Sequence, residues 1–86
     1  MWKQHKDVVT QENKEGAFLL HMQTGVYFGL DEVGKIIWSQ LKNSCNTKDI
    51  YEFIASSYNI PIHQAKSDTL EFIQHLQENE LIVEEL

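Results

Sequence analysis

The four glycines of this chain, Gly16, Gly25, Gly29 and Gly34, all fall before position 35, and its single proline is Pro61. Glycine and proline are the strongest local punctuation a sequence carries. Their placement divides the 86 residues into a first third of short apolar runs broken by turns and a remainder of longer helical stretches. Strands followed by helices predict an α+β fold, a small sheet with helices covering one face. One domain spans residues 1–86, since a chain of this length leaves no room for a second.

The first third reads as a three-stranded antiparallel meander. Asp7 to Thr10, centred on Val8 and Val9, forms the first strand. Gln11 to Gly16 is polar, ends in glycine and reads as a turn. Ala17 to Met22, with Phe18, Leu19 and Leu20, forms the second strand. Gln23-Thr24-Gly25 is a tight connection in which Gly25 supplies a positive φ. Gly25 to Leu30 contains Val26, Tyr27 and Phe28, good strand formers, and makes the third strand.

Three helices follow. Asp31 is placed as an N-cap, with Glu32 in the first turn. Val33, Ile37 and Leu41 recur every four residues, with Ile36 and Trp38 beside them. Asn43 to Asn46 breaks that pattern, and Thr47 is expected to cap a second helix whose apolar stripe is Ile50, Phe53, Ile54 and Tyr58. The second helix stops at Asn59-Ile60-Pro61, because the residue before proline avoids the helical region. The third helix runs from Ile62 to about Asn79, with Ala65, Thr69, Phe72, Ile73 and Leu76 on one face. Leu81, Ile82 and Val83 form an apolar end expected to pack back on the core. Three short helices beside a β-hairpin are also the parts of a winged helix-turn-helix.

Composition removes several classes of function. Lys+Arg is 7 against 13 for Asp+Glu, a net charge of −6, and every one of the seven basic residues is lysine. The third helix carries Lys66 against Asp68, Glu71 and Glu78, so a winged-helix DNA-binding regulator, the rival reading, would set carboxylates against phosphates. No run approaches the roughly 20 apolar residues of a membrane span, and Lys3 to Asp7 is too polar for a signal peptide. With Cys45 alone no internal disulfide forms, and a cytoplasmic location is expected.

The residues supply no catalytic constellation. His5, His21, His63 and His75 contain no pair three or four apart on a helix, so no metal is expected and the histidines read as surface or half-buried. Cys45 sits between Ser44 and Asn46 with neither base nor orienting partner. The chain reads as a non-enzyme, and no cofactor is implied.

The stretch Thr24-Gly25-Val26-Tyr27-Phe28-Gly29-Leu30-Asp31-Glu32-Val33-Gly34-Lys35-Ile36-Ile37-Trp38 resembles the PqqD-like family, the recognition elements of ribosomally synthesised and modified peptides (RiPPs). Members often read Thr-Gly, an aromatic pair, Leu-Asn, a glycine one turn later and then Ile-Trp; here Asp31 replaces the Asn. The last helix reads Asp68-Thr69-Leu70-Glu71-Phe72-Ile73, with Thr69 where Val is usual. The resemblance spans about positions 7 to 84. Tyr27-Phe28 and Ile37-Trp38 look most like the discrete leader-binding subunit of lasso-peptide biosynthesis. The sequence is also similar to the peptide chaperone of pyrroloquinoline quinone synthesis, which partners a radical SAM enzyme.

The resemblance implies that a precursor's leader peptide adds as an extra strand beside the third strand, in a groove closed by the third helix. The complex is then presented to a processing enzyme, a leader peptidase or a cyclase. The candidate peptide-binding residues are Val26, Tyr27, Phe28, Gly29 and Leu30 on the strand and Lys66, Asp68, Thr69, Phe72, Ile73 and Leu76 on the helix. In strict alternation Val26, Phe28 and Leu30 share one face and Tyr27 and Gly29 the other. A bulge at Gly29 would reset that parity, so which set borders the guest stays open. Phe72, Ile73 and Leu76 also read as plain core, and Trp38 as core or as an anchor for an enzyme partner. An exposed strand edge also allows a homodimer.

Overall fold

A computed structural model describes residues 1–85. The order of elements is β1 (Trp2–Gln4), β2 (Val8–Glu12), β3 (Ala17–His21), β4 (Tyr27–Leu30), α1 (Glu32–Gln40), α2 (Thr47–Tyr58), α3 (Ile62–Glu78) and β5 (Ile82–Glu84). β2, β3 and β4 form the expected antiparallel meander in the order β2-β3-β4. With three helices on one face, this is the predicted α+β, winged helix-turn-helix-like architecture.

β1 and β5 were not foreseen. They pair antiparallel, Lys3 opposite Val83. On its other side β1 bridges to Cys45: the Trp2 N–H donates to the Cys45 carbonyl at 2.8 Å, and the Cys45 N–H donates back at 3.1 Å. The two ends of the chain thereby close over the loop between α1 and α2. The expected packing of the apolar end is observed for Leu81 and Ile82, which are buried, whereas Val83 is exposed.

The meander is one-sided, as antiparallel sheets with one wetted face are. Ala17, Leu19 and His21 of β3 are buried, while Phe18 and Leu20 between them are exposed. The inward set meets Ile37, Trp38 and Leu41 of the first helical segment, Ile50 and Ile54 of α2, and Ala65, Ile73 and Leu76 of α3 in a single core cluster. Fully burying one such aliphatic side chain contributes about 1.5–3 kcal/mol. Phe53 and Tyr58, expected in the α2 stripe, are instead exposed; Ile50 and Ile54 are the buried residues of α2, with Tyr51 and Ala55 packed beside them.

Turn and cap chemistry holds these elements in register. Gly25 adopts the predicted positive φ of +79°, and its N–H donates to the His21 carbonyl at 2.8 Å. Gly16 answers a different need: a Cβ there would lie 1.9 Å from the Leu30 carbonyl oxygen, so the β2–β3 turn can only close on the end of β4 with glycine. Asp31 caps α1, its Oδ1 accepting from the Gly34 N–H at 2.7 Å. The cap of α2 is Asn46 rather than Thr47, since Asn46 Oδ1 accepts the Asp49 N–H at 2.8 Å.

His21 corrects its sequence reading, and Trp38 takes the first of its two. His21 is 1% exposed, because it continues the inward alternation of Ala17 and Leu19. Its Nδ1 accepts the Gln23 and Thr24 N–H groups of the following turn at 3.2 and 3.4 Å. Trp38 is 3% exposed, and its indole N–H donates to Thr10 Oγ1 at 2.9 Å. It is a core residue tied to β2, which leaves it no surface to offer a partner enzyme.

Candidate functional site

A sheet of three strands has two borders, and here they differ in chemistry. β4 pairs with β3 on one side, and no described strand pairs with its other side. Its register with β3 is continuous, Leu20 opposite Tyr27, Leu19 opposite Phe28, Phe18 opposite Gly29 and Ala17 opposite Leu30. Gly29 is therefore not a bulge, and the parity left open by the sequence is fixed. Phe28 and Leu30 point inward; Tyr27 and Gly29 belong to the outer face, beside Phe18.

The ladder also fixes which backbone groups are free. The His21 N–H donates to the Val26 carbonyl at 2.9 Å, which sets the phase of the hydrogen bonds. In an antiparallel pair these bonds alternate along the strand. Phe28 and Leu30 thus direct their amide groups toward β3, as Val26 does its carbonyl, while the Val26 N–H donates to Thr24 Oγ1 at 3.3 Å; Tyr27 and Gly29 direct theirs outward to the border. By the same rule Thr10 and Glu12 carry the outward groups of β2. That second border is polar, with Glu12 4.0 Å from the Lys35 ammonium. Charged and polar residues are how edge strands discourage pairing, so β4 is the receptive border.

A cleft of about 570 Å³ opens beside this border. Phe28, Gly29 and Leu30 of β4 line one side, and Asp68, Thr69 and Phe72 of α3 line the other. The sequence placed both groups in the site, and the fold brings them together. The rings of Phe28 and Phe72 meet edge to face with centroids 6.5 Å apart. The floor comes from Val33, Gly34 and Ile37 of α1, and Ile54, Tyr58 and Ile60 from α2 and its exit; of these the sequence reading left Val33, Ile37, Ile54 and Tyr58 in the helical stripes. Gly34 carried the one available signal, a glycine inside a helix. A Cβ at that position would lie 3.2 Å from Phe72 Cζ, so the missing side chain makes room for the ring.

The remaining predicted residues lie elsewhere. Ile73 and Leu76 are buried at 4% and 0% exposure and belong to the core, in line with the plainer of their two readings. Val26 packs on the same core as the chain enters β4. Lys66 is exposed on α3 and outside the cleft lining. The Tyr27 side chain lies on the outer face, stacked on Phe18 with ring centroids 5.3 Å apart; only its backbone reaches the border. Gly29 has the Phe18 ring alongside, and an added Cβ would rest 3.5 Å from it, an ordinary contact.

The chemistry of the cleft is that of an apolar slot with polar rims. Its carboxylates are Asp31, engaged in capping α1, and the exposed Asp68. An extended chain laid along β4 would meet two outward N–H groups and two outward carbonyls. Its alternate side chains, those opposite Phe28 and Leu30, would point into the slot.

Residues 16–82 match the family model of PqqD, coenzyme PQQ synthesis protein D. Among solved structures, the chain is similar to one described as TbiB1 in complex with the TbiA(beta) leader peptide. That match has 33% identity and a TM-score of 0.88, and it covers 98% of each chain. It is also similar to a lasso peptide synthetase B1 complexed with the leader peptide. There the identity is 20% and the TM-score 0.84, over 96% of this chain and 98% of that one, a likeness of fold. No curated protein matches the sequence.

Proposed function

This chain belongs to the PqqD family, and from that premise we propose that it is a recognition protein for a ribosomally made precursor peptide. The precursor's leader adds as a strand along the free border of β4, hydrogen-bonding to the Tyr27 and Gly29 backbones. Its alternate side chains enter the cleft between β4 and α3, against Phe28, Leu30, Thr69 and Phe72, with Asp68 at the rim. The chain then presents the bound precursor to a leader peptidase or a cyclase.

The observation that carries this reading is the unpaired β4 border running directly beside a cleft floored by the core. The backbone border supplies affinity for any extended chain, and the slot selects among side chains. The relative at 33% identity, TbiB1, was solved with a leader peptide, which supports the same role here. Walls of hydrocarbon and a capping carboxylate suit binding rather than turnover, so the chain acts without chemistry of its own, as one recognition domain in the cytoplasm. The test is a fluorescence-anisotropy titration of the labelled leader of a candidate precursor peptide. Saturable one-to-one binding is expected, with no cleavage or cyclisation by the isolated protein. A leader that fails to bind contradicts the proposal.

A further inference from the structure

The start of β4 hangs on one side chain, that of His21. The ring is buried, and its Nδ1 accepts the Gln23 and Thr24 N–H groups at 3.2 and 3.4 Å. Accepting through Nδ1 places the ring's hydrogen on Nε2. The His21 backbone closes the same turn. Its carbonyl accepts the Gly25 N–H at 2.8 Å, and its N–H donates to the Val26 carbonyl at 2.9 Å. The His5 ring lies against the His21 ring, with centroids 4.5 Å apart, and both line a second cavity of about 320 Å³ with Gln77 and Glu80. One residue thus takes the N–H groups of Gln23, Thr24 and Gly25 in the connection from Met22 to Val26.

β4 does not specify its own register. Val26, Tyr27, Phe28 and Leu30 are apolar or aromatic on both faces, with Gly29 among them, so hydrophobic alternation does not choose a side. A slip of one residue would turn Phe28 to the outer face and Tyr27 inward, and would exchange their outward amide groups. In a hairpin the turn sets the register. We infer that His21 is a positioning residue for the guest. By fixing the turn, its side chain selects Tyr27 and Gly29 as the backbone groups a leader meets, and Phe28 as the ring it packs against. This rests on the leader-binding reading above. A residue that only filled the core would be as well served by leucine, which keeps the inward alternation of Ala17 and Leu19 but leaves the turn to the backbone alone.

His21→Asn keeps an acceptor near the Nδ1 position, and His21→Leu fills the space with none. Register is read in the free chains from Hα–Hα NOEs, which join Leu20 to Tyr27 and Phe18 to Gly29 in the observed pairing. His21→Leu is expected to weaken both NOEs, to speed amide exchange at Gln23 and Thr24 about tenfold, and to bind leader about tenfold more weakly. His21→Asn is expected to stay within about threefold of the wild type in exchange and affinity. The ring-nitrogen shifts of wild-type His21 are expected to place the hydrogen on Nε2, a measurement that decides whether or not the leucine variant folds. Wild-type behaviour of His21→Leu, an asparagine variant no better than the leucine one, or a hydrogen on Nδ1 overturns the inference. The NOEs, exchange rates and ring shifts are all read without leader. Failure of a leader to bind the wild-type chain would therefore sink the recognition reading while leaving the register test intact.

Discussion

Phe28 of β4 and Phe72 of α3 meet edge to face across the mouth of the cleft, their ring centroids 6.5 Å apart. The two rings come from opposite walls and are both half-buried, so a guest side chain entering the slot packs against them. Aromatic residues in such positions carry a large share of binding energy. Phe72→Ala is expected to weaken leader binding at least about tenfold. Its stability cost is about 1–2 kcal/mol by urea unfolding, below the roughly 3–5 kcal/mol of a fully buried ring. A folded variant with unchanged affinity removes α3 from the site.

Tyr27 is the first residue of β4 and directs its N–H to the open border. Proline is tolerated at the first position of an edge strand, and it removes that donor. Tyr27→Pro is therefore expected to keep the fold, checked by circular dichroism, and to bind leader about tenfold more weakly than Tyr27→Ala, which loses the ring but keeps the N–H. Equal affinities for the two variants would place the guest elsewhere.

Gly34 opposes its helix. Alanine is favoured over glycine in a helix by up to about 1 kcal/mol, and Gly34 stands in the first turn of α1. Here its Cβ would lie 3.2 Å from both Phe72 Cζ and the capping Asp31 Oδ1, so the ring that walls the cleft has to give way. Gly34→Ala is expected to leave the melting temperature at or above the wild-type value while reducing leader affinity severalfold. Lower stability with unchanged affinity would mean that Gly34 serves the core alone.

The Cys45 thiol, joined through its backbone to β1, is held above its ordinary pKa by burial first and by the Asp49 carboxylate second. Raising the folded-state pKa favours the neutral thiol. That contribution to stability is fully present below the unfolded-state pKa and is lost as pH rises through the folded one. Iodoacetamide at pH 8 should modify Cys45 more slowly in the folded chain than in urea. Asp49→Asn should speed the folded-state reaction. A faster reaction in the folded protein would contradict this environment.

The meander and the three helices were legible because each carries its own signal. Phe18 to Leu20 and Val26 to Phe28 are strand-forming runs between turn residues, and Val33, Ile37 and Leu41 keep a helical period. β1 and β5 have no such signal: three residues show no period, and Trp2–Gln4 becomes a strand only because Ile82–Glu84 lies beside it. Half of the cleft was legible as well, since Phe28, Gly29, Leu30, Asp68, Thr69 and Phe72 come from the two elements that face each other. Ile37 and Ile54 were hidden because a residue that floors a slot looks the same in sequence as one that fills a core. Ile73 and Leu76 show the converse. They share a helical face with Phe72, yet they lie under the sheet where no guest reaches.

The account depends on a second chain completing β4 and not β2. Amide hydrogen exchange with and without leader peptide tests this at single residues. Slowed exchange at the Tyr27 and Gly29 amides on leader addition, with Thr10 and Glu12 unchanged, is the predicted result. Protection gained at Thr10 and Glu12 instead, or at none of the four, would contradict it.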